Sequence, residues 1–386
     1  MADPSASPPT RRTRRTRFVC ISDTHNCTVR LPKGDVLIHC GDLTNQGSFN
    51  ELSKQVNWLE QADFECKIVV AGNHDLTLDT DFYNTYATRG WFDRSHGPED
   101  CQALLTGSKS LTYLIHESRT IKLTSPSGPR TTFSVFGSPY SPVWGGAWAF
   151  QYPRPENDDS AAARSLWGAI PLDTDILITH GPARTHRDEA RTREAAGCEI
   201  LRQQLWRVRP RLALCGHIHE AWGAERVRWD LESRNARYAE LGRTPWRDPN
   251  PESERNALVD LSARGGAPLE NDGSVCVPSD DLSQNDHGDP RRESRGNPRA
   301  GGGGGVAYPG IGTLGLGENP SSARSDRTAL TGRLGRKETY VVNCAIQHSS
   351  YPHAGRGPRK LNKPIVVDLD LRVWDDEDLP ETETDT

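Results

Sequence analysis

No apolar run in this sequence approaches the ~20 residues that a membrane-spanning helix needs. The N-terminus also lacks the hydrophobic core of a signal peptide. Hydrophobic residues make up only 34% of the 386, aromatics 7%, and there is a single methionine. A chain this poor in apolar side chains, carrying 35 Gly and 27 Pro, does not pack into one continuous globule; a folded domain with low-complexity segments is expected. A formal net charge of -5 leaves no overall attraction to nucleic acid or to anionic membranes. The nine cysteines are an odd count, scattered without any C-x-x-C pair. Cys20, Cys40, Cys66, Cys215 and Cys344 fall in apolar runs, where a free thiol packs as a small hydrophobe. A reducing compartment is the expectation, cytoplasmic or nuclear.

What is present is concentrated between Phe18 and Asp79. Three short runs rich in β-branched residues, Phe18 to Ile21, Val36 to Cys40 and Lys67 to Ala71, each end in a polar cluster. The clusters are Asp23-Thr24-His25, Gly41-Asp42 and Gly72-Asn73-His74-Asp75. The runs read as buried strands of an α/β sheet. Ligands of such sheets gather beyond the carboxyl ends of the strands, where these clusters lie. Between the second and third runs, Phe49, Leu52, Val56 and Leu59 recur at helical spacing after Ser48, a suitable N-cap. A β-α-β order with parallel strands follows. Further on, Ser110 to Leu123 and Thr131 to Phe136 read as strands of a second layer. Ser160 to Trp167 and Cys198 to Val208 read as helices. Ile176 to Thr179 and Leu212 to Cys215 are strands, the first leading to His180 and the second to Gly216-His217-Ile218-His219.

The flanks differ in composition. Residues 1–16 form a basic Arg/Pro/Ser arm, for which a solvated tail is the simpler reading and a nuclear-targeting role the sharper one. Residues 231–337 are rich in Gly, Ser, Arg, Asp and Pro, with five glycines at 301–305 and Tyr308 the one aromatic between 247 and 339. Such a segment cannot bury enough apolar surface to offset its ordering entropy, so a disordered insertion is expected. The folded part would then be residues 17–230, completed by two strands within 338–372. An acidic tail, 373–386, would be solvated.

A histidine after a strand is more often an ordinary polar residue than a ligand. Here five of twelve histidines join two aspartates and an asparagine in strand-end clusters. Imidazole mixed with carboxylate and amide oxygen suits Zn, Fe or Mn better than Mg or Ca. His217 and His219 are two apart, so in extended backbone they share one face. In order and spacing, the motifs D-x-H, G-D, G-N-H-D, an isolated H and G-H-x-H resemble the calcineurin-like metallophosphoesterase superfamily. The finer resemblance is to the metallophosphoesterase-domain-containing (MPPED-type) proteins and their fungal counterparts. It rests on Gly72 to Asp79, Gly137-Ser138-Pro139 through Trp148-Ala149-Phe150, Thr179-His180-Gly181-Pro182, and Gly216 to Glu220.

The resemblance implies a four-layer α/β/β/α sandwich and two divalent metal ions. One would be held by Asp23, His25, Asp42 and His219, the other by Asp42, Asn73, His180 and His217, with Asp42 as the bridge. It implies hydrolysis of a small phosphoester or nucleotide by in-line attack of a hydroxide shared between the cations. His74 would protonate the leaving oxygen, and Asp75 would orient His74. Two divalent cations set against two aspartates and a hydroxide leave about one positive charge, which favours an anionic substrate. Some MPPED-type members lack the first His of G-H-x-H and are weakened for it; this chain has His217. Protein phosphatases of the superfamily carry an arginine in the second block. Gly41 to Gly47 has none, which tilts the expectation from phosphomonoesters or phosphoproteins towards phosphodiesters, cyclic nucleotides among them. A non-catalytic scaffold of the same fold is the competing class, though such scaffolds usually lose ligands. A nuclease is disfavoured, because the folded part shows no basic stripe.

Three other features have weaker readings. Cys27 follows His25 closely, but a loop thiol is the simpler account. Trp144, Trp148, Phe150 and Tyr152 could wall a base or merely pack a core. Arg184, His186 and Arg187 follow His180 and could touch substrate or face solvent. His39, inside a strand, reads as a satisfied interior histidine.

Overall fold

β-branched runs bounded by turn-formers build two sheets, and the alternation of side chains along each strand sorts the core into three slabs. A computed structural model describes residues 12–86, 95–143, 145–154, 161–231, 238–253, 255–271, 335–349 and 360–374. In chain order the first elements are β1 (Thr13–Ile21), β2 (Val36–Cys40), α1 (Phe49–Glu60), β3 (Cys66–Val70), α2 (Thr80–Tyr86), α3 (Pro98–Thr106) and β4 (Thr112–Tyr113). There follow β5 (Glu117–Lys122), β6 (Thr132–Ser138), β7 (Ser141–Pro142), β8 (Gln151–Tyr152), α4 (Ala161–Gly168), β9 (Ile176–Thr179) and α5 (Glu199–Val208). The last are β10 (Leu212–Cys215), β11 (Gly223–Trp229), β12 (Glu240–Pro245), β13 (Ala257–Asp260), β14 (Glu338–Asn343) and β15 (Ile365–Arg372).

One sheet has the order β13-β15-β1-β2-β3-β4, the other β12-β11-β14-β10-β9-β6-β5. β1, β2, β3 and β4 run parallel, as do β6, β9, β10 and β14. Phe18, Cys20, Val36 and Ile38 of the first sheet meet Val135, Ile176, Ile178, Leu212 and Leu214 of the second between the sheets. The intervening residues Val19, Ile21, Leu37 and Val69 face outward against Leu52, Val56 and Leu59 of α1 and Leu105 of α3. On the far side, Phe136, Leu177 and Ala213 pack against Trp167 of α4 and Leu201 and Leu205 of α5. These are the expected four layers, α/β/β/α. Helix α1 starts where Ser48 and Glu51 form a reciprocal capping box, the Glu51 carboxylate accepting the Ser48 N–H at 3.0 Å.

Several boundaries differ from the sequence reading. The basic arm does not end at residue 16: Thr13 to Arg17 already belong to β1 and pair with β15. There the Arg17 guanidinium grips buried Asp368 through two 2.7 Å hydrogen bonds, which spends its charge inside the fold. The segment 231–337 is not uniformly outside the domain either. β12 extends the second sheet and β13 pairs with β15 in the first, because Ala257 and Val259 supply the alternating apolar pair that an edge position needs. Residues 272–334 of that segment lie outside the described residues, as do residues 1–11, Trp144, Ser160, His353 and the tail from 375. Val373 and Trp374 of the tail are buried, the Trp374 Nε1–H donating to the Leu123 carbonyl at 2.7 Å. The single strand expected over Ser110 to Leu123 is broken. β4 belongs to the first sheet and β5 to the second, with His116 at a positive φ of 55° at the turn between them. Of the cysteines, the eight described are free. No helix among the described residues is long and apolar enough to cross a membrane.

Candidate metal centre

The polar clusters beyond β1, β2, β3, β9 and β10 converge on one point at the edge where the two sheets meet. Asp23, His25 and His219 form one group and Asp42, His180 and His217 another, with the ligand atoms of each within 4.8 Å of one another. The His219 Nε2 lies 3.1 Å from Asp23 Oδ1 and 3.3 Å from His25 Nε2. Asn73 joins the second group, its Oδ1 2.9 Å from His180 Nε2. Asp42 lies between the groups: its Oδ2 is 3.6 Å from His25 Nε2 and 3.4 Å from His180 Nε2. All seven residues foreseen as ligands are therefore in one place.

The backbone is bent to achieve this. Asp23, His25, Asp42 and His217 have positive φ (52°, 44°, 53° and 66°), a conformation costly for residues with a Cβ and concentrated at functional sites. Gly72 leaves the space that Asp42 fills, and Gly216 the space that Asp23 fills; a Cβ at either would collide with the carboxylate.

Ring orientation is held by main-chain carbonyls. The Nδ1–H of His25 donates to Thr44 O (3.1 Å), that of His180 to Cys40 O (2.9 Å) and that of His219 to Ser349 O (2.7 Å). Each Nε2 therefore faces the cluster and, once deprotonated, offers the lone pair a divalent cation requires. This donor set, nitrogen with carboxylate and amide oxygen, fits a pair of such cations. None of these carbonyl partners carries a side-chain signature, so sequence reasoning missed them; only the topology of the strand ends could have pointed to them.

Burial alone would push the Asp23 and Asp42 carboxyls up, yet the imidazoles facing them hold both well below the usual range. Burial opposes the His180 imidazolium, but Asp42 and Asp23 outweigh it and raise the ring to about 9. His219 is raised likewise beside Asp23. Burial drives His25 and His217 down to about 3, so both rings are neutral.

His74 stands beside the cluster, its ring 4.8 Å from that of His25 and 4.2 Å from that of Trp148. The expectation that Asp75 orients it is corrected. The His74 Nδ1–H donates to Asn45 O at 2.9 Å. The buried Asp75 carboxylate instead accepts Leu43 N–H, Thr44 N–H, Thr44 Oγ1–H and Gly72 N–H, and so ties the second cluster to the third. Burial and then Asp42 push Asp75 up to about 6.

The remaining candidates separate cleanly. His39 is satisfied inside its strand, with Nε2 3.0 Å from Thr24 Oγ1. Cys27 receives Gln347 Nε2–H at 3.4 Å. Tyr152 and Phe150 are buried core residues, whereas Trp148 lies against His74. His186 is buried between two acids, Nδ1 2.7 Å from Glu225 and Nε2 3.2 Å from Glu240, and clamps its loop to the β11–β12 hairpin. It is not positioned for substrate. Burial works against its charge, but the two glutamates prevail and raise its pKa. The stability it confers is present below its unfolded value, ~6.5, and is lost as pH rises through the folded value. His186→Gln should therefore cost about 3 kcal/mol at pH 6 and distinctly less at pH 9, read from urea midpoints; a pH-independent cost would contradict this.

Comparison with known proteins identifies the family. A family model described as Calcineurin-like phosphoesterase matches residues 16–221. A human protein, Metallophosphoesterase domain-containing protein 1, is 38% identical over 219 residues, 54% of this chain and 62% of that protein. A UPF0046 protein of Caenorhabditis elegans is 38% identical over 219 residues, 56% of this chain and 68% of that one. A protein of Emericella nidulans described as probable rhamnogalacturonate lyase C is 41% identical over 232 residues, 60% of this chain but 20% of its own length. The chain thus spans a fifth of that relative and under two thirds of the human one. With the matched region running from β1 through the His217–His219 turn, the chain belongs to the calcineurin-like phosphoesterase family.

Proposed function

We propose that this chain is a metal-dependent phosphoesterase that acts on phosphodiesters, small nucleotidyl or cyclic diesters among them. The observation that carries the reading is the position of Asp42 Oδ2, within 3.6 Å of an imidazole from each ligand group, in a fold family of phosphoesterases. Asp23, His25, Asp42 and His219 would hold one divalent cation, and Asp42, Asn73, His180 and His217 the other. Such a pair, when bound, activates water at neutral pH and neutralises phosphoryl oxygens.

The protein's own groups then do the following. Asp42 is held in place by the His74 N–H at 2.8 Å, so one carboxylate oxygen is anchored and the other faces the imidazoles. His74 keeps its Nδ1–H on Asn45 O, which leaves Nε2 to carry a proton to the departing oxygen. Trp148 packs on the His74 ring and shields it from water. The second block, Gly41 to Gly47, supplies no arginine, and a singly charged diester needs such a donor less than a dianionic monoester does. The test is hydrolysis of bis-p-nitrophenyl phosphate with Mn, Fe, Zn or Co supplied, alongside p-nitrophenyl phosphate. Faster turnover of the diester, abolished by a chelator, is the expected result. No turnover with any metal would leave the scaffold reading in its place.

A further inference from the structure

We propose that the cavity beside the His217–His219 turn receives a second anionic group of the substrate, a phosphate or carboxylate on one ester arm, through the guanidinium of Arg187. This rests on the diester reading above and narrows it to diesters that carry an additional negative charge.

The cavity has a volume of about 630 Å³, and its walls come from the loop after His180 and from Glu220 and Ala221, which directly follow His219. Such a volume is of the size that holds a small-molecule group. Arg187 lines it and is half-buried. Its guanidinium donates through Nη2 to the Trp222 carbonyl, while its Nε has no hydrogen-bond partner. Among the described residues it has no ion pair. The acids nearby are committed elsewhere: Glu225 is held by His186 at 2.7 Å, and Asp188 Oδ2 accepts Thr185 N–H at 2.9 Å and Gly197 N–H at 2.8 Å. Glu225 and Glu189, which also line the cavity, only partly compensate the desolvated guanidinium, and an anion in the cavity would relieve the remaining cost. Burial lowers the Arg187 pKa, and the opposing pull of Glu225 and Glu189 does not fully offset it.

The surrounding chain is shaped for this side chain. Gly223, at φ 131°, lacks the Cβ that would strike the Arg187 guanidinium. Arg187 and Thr185 themselves have positive φ (52° and 64°), and in Thr185, a β-branched residue, that conformation is strained. The Asn343 amide bonds both Arg187 O (3.1 Å) and Ile218 O (2.9 Å), so the loop is tied to the turn that carries His217 and His219. A group seated on Arg187 is thereby kept in register with the metal ligands. The arginine absent from the second block has a counterpart here, on a different loop and aimed at a different part of the substrate. Glu189 and Glu220 share the rim with Arg191 and Arg193, so the site is one fixed guanidinium rather than a general basic patch.

The test compares two diesters with one leaving group: the p-nitrophenyl ester of thymidine 5′-phosphate, with and without a 3′-phosphate. The readout is the ratio of their kcat/KM values. The wild type should prefer the 3′-phosphorylated ester about tenfold to a hundredfold, the range of a charged hydrogen-bonded contact. Arg187→Gln should reduce that ratio about tenfold, and Arg187→Lys should restore part of it, since lysine keeps the charge and loses the planar fork. An equal ratio in wild type and Arg187→Gln overturns the proposal. If the wild type hydrolyses neither ester, the diester reading fails separately, and calorimetry with thymidine 3′,5′-bisphosphate decides the cavity. Weaker binding to Arg187→Gln supports the anion site; unchanged binding overturns it. Inorganic phosphate that changes the turnover of both esters alike through Arg187 would mark a separate effector and overturn the substrate assignment.

Discussion

Asp42→Ala should lower kcat/KM for bis-p-nitrophenyl phosphate by about a thousandfold or more, the equivalent of ~4 kcal/mol of transition-state stabilisation at ~1.36 kcal/mol per decade. Asp42 faces imidazoles of both ligand groups through a single oxygen, with His25 Nε2 at 3.6 Å and His180 Nε2 at 3.4 Å. Its second oxygen takes the His74 N–H at 2.8 Å, so the substitution also releases the backbone that presents His74. The metal content of the purified variant, measured by elemental analysis, should fall from about two ions per chain to one or fewer. Asp42→Asn keeps the shape and one oxygen and should fall between. A variant that keeps both ions and loses less than tenfold in rate would refute the bridging role. Circular dichroism distinguishes this from misfolding, since removing one buried carboxylate leaves all three apolar slabs intact.

His74→Ala should show a second large effect, one that depends on the leaving group. For an alkyl diester, whose alkoxide is a poor leaving group, kcat should fall about 10²–10⁴-fold, the usual range for general acid catalysis. For a p-nitrophenyl ester, whose phenolate departs without a proton, the loss should be much smaller. The geometry behind this is the Asn45 carbonyl, 2.9 Å from Nδ1, which fixes the tautomer that carries its exchangeable proton on the inner face when the ring is charged. Equal losses on both substrates would refute the general-acid role, since the substitution keeps the main-chain N–H that anchors Asp42.

The site was unusually legible in the sequence. Strand ends in a parallel sheet place polar residues at the same edge, so Asp23, His25, Asp42, Asn73, His74, His180, His217 and His219 could be picked out as one cluster; the resemblance to the family, not spacing, separated the seven proposed ligands from His74. The three slabs of core were legible too, because Val19 and Phe18, or Leu37 and Ile38, must point to opposite sides of their strand. The misassignments share a cause. Asp75 looked like the partner of its neighbour His74, but the tight turn sends its carboxylate back to Thr44 and Gly72. The partner of His74 is a carbonyl, and carbonyls are the same in every residue. Strands β12 and β13 were overlooked because Glu240 to Pro245 is polar and exposed and Ala257 to Asp260 is only four residues long. Composition averaged over the long surrounding segment hid both. Trp374 was lost in an acidic tail for the same reason.

The ligand clusters come from both halves of the sandwich: Asp23, His25, Asp42 and Asn73 follow strands of one sheet, His180, His217 and His219 strands of the other. On the proposed ligand set each cation draws on both, and therefore acts as a rivet across the seam. Chelation then does more than stop turnover: it turns a riveted edge into one where two like-charged carboxylates must rely on imidazolium protons to stay closed, so that acidity and metal supply become interchangeable ways of holding the two sheets together.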